Sequence, residues 1–293
     1  MVSQPPKIDS TWVTVLRLIR WDKPAGRLIL MLPALWAVFL AAEGTPPVLL
    51  VGVIILGTLA TSAGGCVVND LWDRNIDPKV QRTRNRPLAS RALSIKTGLV
   101  VAAIAFVCAF SLARYLNPLS FWLSVLAVPV IVLYPLAKRV FPVPQLVLSL
   151  AWGFAVLISW SAVTARLELT TWLLWAATVL WTLGFDTIYA IPDRDFDQQL
   201  QVRSSALFFG KQAPLAVGLF FAGTVLMLGL LGWQMQLSLG FWLTLAIAAG
   251  LWGRQYFQLS RYNPPDQLYS RLFRQNVTIG FVLLVGMIVG CLL

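Results

Sequence analysis

The sequence predicts an all-α membrane protein, a bundle of about nine transmembrane helices around a central cavity, and three observations lead to this fold class. Hydrophobic residues make up 58% of the 293-residue chain and charged residues only 12%, more apolar surface than a water-soluble globule can bury. The apolar residues gather into runs of roughly 20 residues, the length of a membrane-spanning helix. These runs lack the alternating pattern of barrel strands, which excludes a transmembrane β-barrel.

The predicted spans follow an N-terminal segment, residues 1–26, that carries several charges. We expect no cleaved signal peptide, because no small-residue cleavage site follows a short apolar core. The spans are residues 27–43, 48–68, 97–115, 118–137, 144–164, 170–190, 213–232, 238–257 and 275–292. We expect them to form one integral-membrane domain over residues 1–293, with two aspartate-rich helical caps at 69–96 and 186–211.

Basic residues are distributed unequally between the two sides of this predicted bundle. Of the 23 Lys and Arg residues, all but Arg114 and Arg166 fall in the N-terminal segment or in loops on the same side. The positive-inside rule makes that side cytoplasmic, so we expect a multi-pass protein of the inner or plasma membrane with its caps in the cytoplasm. The basic residues of the N-terminal segment and of the loop before the last span are interpreted as topology determinants and anchors for anionic lipid head groups.

The composition also limits the chemistry. The chain contains no histidine, which excludes Ser-His-Asp catalysis, imidazole bases and His-ligated zinc or haem. Cys66, Cys108 and Cys291 lie in apolar segments without a CxxC pair and are expected to be small buried hydrophobes. Neither a GxxxxGK[ST] loop nor a GxGxxG turn is present, and the basic residues are too dispersed for a nucleic-acid-binding surface.

Acidic residues cluster in a first window at the end of the second span. Of the 12 acidic residues of the chain, this window holds Asp70, Asp73 and Asp77. Asn69, Asp73 and Asp77 recur at every fourth position, so a helix continuing past the span would align these three side chains on one face. Asp70 lies off that face, and we expect it to point away from a ligand held by the others.

A second acidic window ends the sixth predicted span. It contains Asp186, Asp193, Asp195 and Asp197. Asp186, Asp193 and Asp197 share one helical face with Tyr189, and Pro192 is expected to kink the chain just before Asp193. Asp195 points elsewhere if the helix persists.

Stacked carboxylates repel one another, so two such windows on one side of the membrane predict a bound cation. Without His or a reactive Cys, hard oxygen ligands select Mg²⁺ or Ca²⁺, and Mg²⁺ commonly shares its coordination with substrate phosphates. A basic rim accompanies the windows, formed by Arg82, Arg86, Lys138 and Arg139. The pattern favours a diphosphate carried on Mg²⁺ and attached to a lipid-soluble group.

Several stretches of the sequence, both acidic windows among them, look like blocks of one known family. The windows read NDxxDxxxD at 69–77 and DTxYAxxDxxxD at 186–197. The other blocks, in family order, are RWDKPAGRLILMLPALWA (20–37), RTRNRPLASRAL (82–93) and YPLAKRVFPVPQLVLSLAWG (134–153). With these the chain resembles the UbiA-type intramembrane aromatic prenyltransferases, most closely the 4-hydroxybenzoate polyprenyltransferases of ubiquinone and plastoquinone biosynthesis.

The resemblance implies an enzyme that uses Mg²⁺ to transfer a polyprenyl group from a polyprenyl diphosphate to 4-hydroxybenzoate, at the ring carbon ortho to the hydroxyl. Two Mg²⁺ ions are implied. One would be held by Asn69, Asp73 and Asp77, and the other by Asp186, Asp193 and Asp197. The partners implied are the two substrates and the lipid bilayer, with no obligate protein partner and no nucleic acid.

The resemblance also implies roles for the remaining site residues. The diphosphate would be bound by Lys23, Arg82, Arg86 and Lys138. The carboxylate of the aromatic acid would be bound by Arg139. The candidate catalytic residues are Asp73, Asp193, Tyr134 and Tyr189, and the two tyrosines, with Trp72, are expected to face the allylic cation.

Three alternatives stay open at this point. The acceptor could be another aromatic compound, such as homogentisate, a naphthoate or a chlorophyll-type ring, although YPLAKR and RWDKPAG favour 4-hydroxybenzoate. An ion or anionic-substrate transporter would place its acidic residues near the bilayer midplane, whereas these lie at helix ends on one side. A non-catalytic scaffold would leave both acidic windows without a role.

Overall fold

The computed structural model describes residues 10–261, 264–265 and 267–293, and these residues fold into helices joined by turns. A short helix α1 (Thr11–Leu18) comes first. The nine long helices of the described part are α2 (Ala25–Ala41), α3 (Val48–Asp73), α4 (Ile95–Ala113), α5 (Pro118–Val140), α6 (Pro144–Thr164), α7 (Leu169–Ala190), α10 (Ala213–Gln234), α11 (Leu239–Leu259) and α12 (Gln267–Leu292). The intervening short helices are α8 (Arg194–Gln199) and α9 (Ser205–Phe209).

Every predicted span coincides with one long helix, which confirms the all-helical class. The span predicted at 144–164 has the bounds of α6, and most of the others differ by a few residues at their ends. Two differences are larger. α3 continues past residue 68 to Asp73, and α12 begins at Gln267 rather than at residue 275. The first extension agrees with the expected helical continuation through Asn69 and Asp73, whereas the polar start of α12 was expected in a loop.

Seven helical segments of the described residues are long and apolar enough to cross a membrane, so the chain is an integral multi-pass membrane protein. α2 is apolar but only 17 residues long, and α11 is not among the seven. The count of nine spans therefore stays a prediction. The outer surface suits lipid, since α4 exposes Leu99, Val100, Ile104 and Val107.

The long helices pack into a closed ring. Each packs against its neighbour in chain order from α2 to α12, and α12 returns to pack against α2 and α7. The ring surrounds a cavity of about 860 Å³ lined by side chains of α2, α3, α4, α5, α6, α7 and α12. The C-terminal ends of α3, α5 and α7 meet at one end of this cavity.

A buried polar network joins α7, α11 and α12 on the side of the ring behind the cavity. The Asn276 carbonyl oxygen accepts hydrogen bonds from the indole N–H groups of Trp181 and Trp252, both at 2.9 Å. The Asn276 amide nitrogen donates to Gln255 Oε1 at 3.1 Å and to the Leu272 carbonyl at 3.0 Å. Because Asn276 uses its full hydrogen-bonding capacity inside the core, the network fixes the three helices relative to one another.

We expect Asn276→Ala to lower the free energy of unfolding by about 1–2 kcal/mol, because two buried indole N–H groups and the Gln255 amide lose their partner. Thermal denaturation of the purified protein in detergent measures this. Thr278→Ala, an exposed position on the same helix, is the control and should leave the midpoint unchanged. Equal midpoints for both variants would contradict a stabilising role of the network.

Candidate active site

Two cavities adjoin where α3, α5 and α7 end. The large cavity is the central one of about 860 Å³, with mainly apolar walls. The second, here called the polar cavity, has a volume of about 220 Å³. The residues that line both cavities are Arg82, Arg86, Tyr134, Leu148, Asp186 and Tyr189. An apolar chamber and a charged chamber thus share one wall.

The polar cavity brings together all six residues expected to hold a metal. Its lining includes Asn69, Asp73, Asp77, Asp186, Asp193 and Asp197. Asp70 and Asp195, which were expected to point away, are not part of that lining. Residues more than a hundred positions apart in the chain therefore share one small volume, at the ends of helices rather than in the middle of the bundle.

The first window reaches the cavity by a route that differs from the predicted one. The prediction of an unbroken helix through Asp77 is wrong, because α3 ends at Asp73 and a 3₁₀ turn follows at Asp77–Lys79. Pro78 has no N–H group and restricts the residue before it, so a regular helix cannot continue. The Thr83 hydroxyl donates to the Asp77 carbonyl at 3.0 Å and helps to hold Asp77 in place.

The second window follows the predicted kink. α7 ends at Ala190, and a 3₁₀ turn at Ile191–Asp193 contains Pro192 before α8 begins. This arrangement turns Asp193 and Asp197 into the polar cavity beside Asp186, while Asp195 is exposed. A proline therefore interrupts the regular helix in both windows, Pro78 in the first and Pro192 in the second.

Cations of the basic rim pair with the carboxylates. Arg86 Nη1 lies 2.9 Å from Asp77 Oδ2, Arg82 Nε lies 3.0 Å from Asp193 Oδ2, and Lys138 Nζ contacts Asp73 Oδ2. Although burial works against its charge, the Asp70 and Asp77 carboxylates raise the pKa of Arg86 above its usual value. Arg86 thus stays protonated and compensates part of the clustered negative charge.

One carboxylate oxygen of the polar cavity has no such partner. Asp73 is 3% exposed, and its Oδ1 atom is buried without a hydrogen-bond partner among the described residues. Within those residues, no three Asp, Glu or Cys side chains form a ready-made metal cluster. A buried, unsatisfied carboxylate oxygen among further oxygen ligands suits a hard divalent cation, so the donor set fits Mg²⁺.

The two tyrosines occupy the shared wall of the cavities. The Tyr134 hydroxyl donates to Asn69 Oδ1 at 3.3 Å. The Tyr189 hydroxyl accepts from Arg82 Nη1 at 2.6 Å, and the Arg82 guanidinium carbon lies 4.6 Å from the centre of the Tyr189 ring. Both aromatic rings are therefore placed between the charged groups and the apolar chamber.

Three predicted site residues lie elsewhere. Lys23 lines the large cavity and not the polar one. Arg139, expected to bind the acid, lines neither cavity, because its Nη2 atom donates to the Trp72 carbonyl at 2.9 Å. Trp72, expected near the allylic cation, is 39% exposed and donates from its indole to the Val132 carbonyl at 2.9 Å. Arg139 and Trp72 thus brace α3 against α5 outside the cavities.

Asp70 has a different environment from its neighbours in the motif. It is 1% exposed, and its Oδ1 atom lies 2.6 Å from Arg20 Nη2 and 3.2 Å from Arg86 Nη1. This carboxylate therefore connects the segment between α1 and α2 to the basic rim. Its role is to hold cations rather than to face the polar cavity.

Some cavity residues were missed by the sequence analysis. Ser270, Phe273 and Arg274 on α12 line the large cavity, whereas the sequence placed them in a loop before the last span. Their spacing of three and four residues is typical of one helical face and is the signal that could have found them. Arg203 lines the polar cavity, and its backbone N–H donates to the Lys138 carbonyl at 2.8 Å.

Comparisons with known proteins agree with one another. The sequence model of the UbiA prenyltransferase family matches residues 30–277. A Synechocystis protein named 4-hydroxybenzoate solanesyltransferase is 63% identical over 292 residues, 100% of each chain. A UbiA homolog from Aeropyrum pernix K1 superposes with a TM-score of 0.78 at 25% identity, over 90% of this chain and 98% of that one. A UbiA homolog from Archaeoglobus fulgidus, described as bound to GPP and Mg²⁺, has the same fold, with a TM-score of 0.70 at 18% identity over 92% and 99% of the two chains.

Proposed function

Because the chain belongs to the UbiA prenyltransferase family, we propose that it transfers a polyprenyl group from a polyprenyl diphosphate to 4-hydroxybenzoate, at the ring carbon ortho to the hydroxyl. The name of the Synechocystis relative supports this acceptor. The observation that carries the proposal is that the six candidate metal ligands from both windows meet Arg82, Arg86 and Lys138 at the polar cavity, which shares a wall with a large apolar chamber. A diphosphate and its lipid tail need these two environments side by side.

We propose two Mg²⁺ ions in the polar cavity. One is held by Asn69, Asp73 and Asp77, and the other by Asp186, Asp193 and Asp197. The unpartnered Asp73 oxygen and the all-oxygen donor set support this assignment, as does the Mg²⁺ described in the Archaeoglobus fulgidus protein. When bound, the ions supply positive charge against the leaving diphosphate.

The reaction begins as the bond between the allylic carbon and the diphosphate oxygen breaks, and the bonding electrons leave with the diphosphate. Arg82, Arg86 and Lys138, already gathered at the polar cavity, stabilise that developing negative charge. The acceptor ring attacks the allylic carbon through the position ortho to its hydroxyl, and a base or water then removes the ring proton.

The remaining walls protect the cation. Tyr134 and Tyr189 present their rings between the diphosphate end and the apolar chamber, where a π face stabilises positive charge. The apolar lining of the large cavity excludes water that would quench the cation and accommodates the prenyl tail. The excess of basic residues at this end of the bundle supports an active site on the cytoplasmic side.

We expect membranes that contain the protein to convert 4-hydroxybenzoate and a polyprenyl diphosphate into the prenylated acid, measured by mass spectrometry. EDTA should abolish product formation and excess Mg²⁺ should restore it, because the carboxylates need the metal to receive the diphosphate. Membranes from cells without the protein are the control.

The same assay separates the alternatives. Homogentisate and a naphthoate offered together with 4-hydroxybenzoate reveal the preferred acceptor from the product masses. Prenylation of either competitor in preference to 4-hydroxybenzoate would overturn the proposed acceptor. Substrate flux into vesicles without any product would overturn the enzyme assignment in favour of transport.

A further inference from the structure

We propose that Arg274 on α12 binds the carboxylate of the aromatic acceptor, at an acceptor pocket in the large cavity formed by Trp152, Phe185, Tyr189, Phe273 and Arg274. This inference rests on the proposed function and names the subsite for the second substrate. It replaces Arg139, which lines neither cavity.

Three of the six cations that line the large cavity already have anionic partners. The basic residues of its lining are Arg20, Lys23, Arg27, Arg82, Arg86 and Arg274. Arg20 and Arg86 pair with Asp70, and Arg82 pairs with Asp193. Among the described residues, no carboxylate lies within 4.0 Å of the other three.

These three cations differ in their surroundings. The Arg27 guanidinium donates to the Ile19 carbonyl and lies 4.9 Å from the centre of the Trp21 ring, so it is engaged in holding the N-terminal segment. Lys23 and Arg274 are both exposed, but Lys23 lies in the connection between α1 and α2 and carries a compact ammonium group, without the planar fork of a guanidinium. Arg274 directly follows Phe273 on α12, both residues line the large cavity, and its planar guanidinium matches a carboxylate with two parallel hydrogen bonds.

Four aromatic rings form part of the same cavity wall as Arg274. The Phe273 ring lies 4.9 Å from the Tyr189 ring and 5.7 Å from the Phe185 ring, measured between centroids. Phe185 in turn lies 5.5 Å from Trp152. All four rings line the large cavity, and offset or edge contacts with such rings suit a planar aromatic ligand.

The acceptor pocket lies close to the place proposed for the reacting carbon. Tyr189 contacts both the Phe273 ring and the Arg82 guanidinium, so the acceptor pocket adjoins the diphosphate end of the chamber. In 4-hydroxybenzoate the carboxylate and the hydroxyl stand at opposite ends of the ring. Binding the carboxylate at Arg274 therefore directs the hydroxyl and its ortho carbons away from α12.

We expect Arg274→Gln to raise the KM for 4-hydroxybenzoate by about 10- to 100-fold, because a charged hydrogen bond to the carboxylate is lost. The KM for the polyprenyl diphosphate should stay within about twofold, since Arg82, Arg86 and Lys138 are unchanged. Arg274→Lys, which keeps the charge without the planar fork, should give an intermediate value. Arg271→Gln is the matched control, because Arg271 is exposed on the same helix and lines neither cavity.

A neutral analogue of the acceptor tests whether Arg274 recognises the carboxylate itself. Wild type should prefer 4-hydroxybenzoate over 4-hydroxybenzamide, and Arg274→Gln should lose most of that preference, which a merely structural defect would not do. An unchanged KM for the acid, or an unchanged preference, in a folded Arg274→Gln or Arg274→Lys variant would overturn the inference. A wild type without any product would overturn the proposed function instead, and calorimetric binding of 4-hydroxybenzoate to wild type and Arg274→Lys would still decide whether Arg274 holds the carboxylate.

Discussion

Asp73→Asn and Asp193→Asn should each lower kcat/KM for the polyprenyl diphosphate by about 10²–10³-fold, the loss typical when one group that stabilises transition-state charge is removed. The two side chains come from different windows and line the same polar cavity. Asparagine keeps the size of the side chain but removes the negative charge that a divalent ion requires. Initial rates over a range of Mg²⁺ concentrations measure the effect, and we expect both variants to need more Mg²⁺ for half-maximal activity.

The second window supplies its own control. Asp195 stands between Asp193 and Asp197 but is exposed and does not line the polar cavity. Asp195→Asn should therefore keep wild-type activity within about twofold, as expected for a surface substitution. Full activity in a folded Asp73→Asn or Asp193→Asn variant, or a defect in Asp195→Asn as large as theirs, would refute the metal assignment.

Much of this architecture could be predicted from the sequence because the bilayer imposes a simple rule on composition. A helix facing lipid must be apolar over its whole length, so α6 could be bounded at residues 144–164 without any structure. The spacing of Asn69 and Asp73 also predicted their common face correctly, since both lie on α3. Both predictions succeeded because each depends only on residues within a single helix.

The errors arose where a boundary or a contact depends on distant residues. Arg139 follows Lys138 directly, yet the backbone sends Lys138 into the polar cavity and Arg139 to the Trp72 carbonyl. Arg274 was interpreted as a lipid anchor because the polar start of α12 has too low a hydropathy to be recognised as helix. The packing of α12 against α2 and α7 places Arg274 in the cavity wall. This packing involves residues far apart in the sequence, so a local sequence pattern does not predict it.

Arg86→Gln should have the other large effect, a fall in activity of about 100-fold or more, because Arg86 contacts both the proposed metal ligand Asp77 and the buried Asp70. Its Nη1 atom lies 2.9 Å from Asp77 and 3.2 Å from Asp70, and Arg86 lines both cavities. The substitution removes a cation from the proposed diphosphate site and leaves Asp77 without its Arg86 partner. The KM for the polyprenyl diphosphate should rise, while the KM for 4-hydroxybenzoate should change little.

Asp70→Asn decides whether this buried aspartate acts through Arg86. Alone it should lower activity about tenfold, because Arg86 keeps Asp77 but loses its second anchor. The double variant Asp70→Asn with Arg86→Gln should then be no less active than Arg86→Gln, since the effects of contacting residues in one network do not add. Rates of the wild type, both single variants and the double variant complete the cycle. Additive losses of activity would mean that Asp70 acts independently of Arg86, through its 2.6 Å contact with Arg20. Asp70 would then support the N-terminal segment rather than the basic rim.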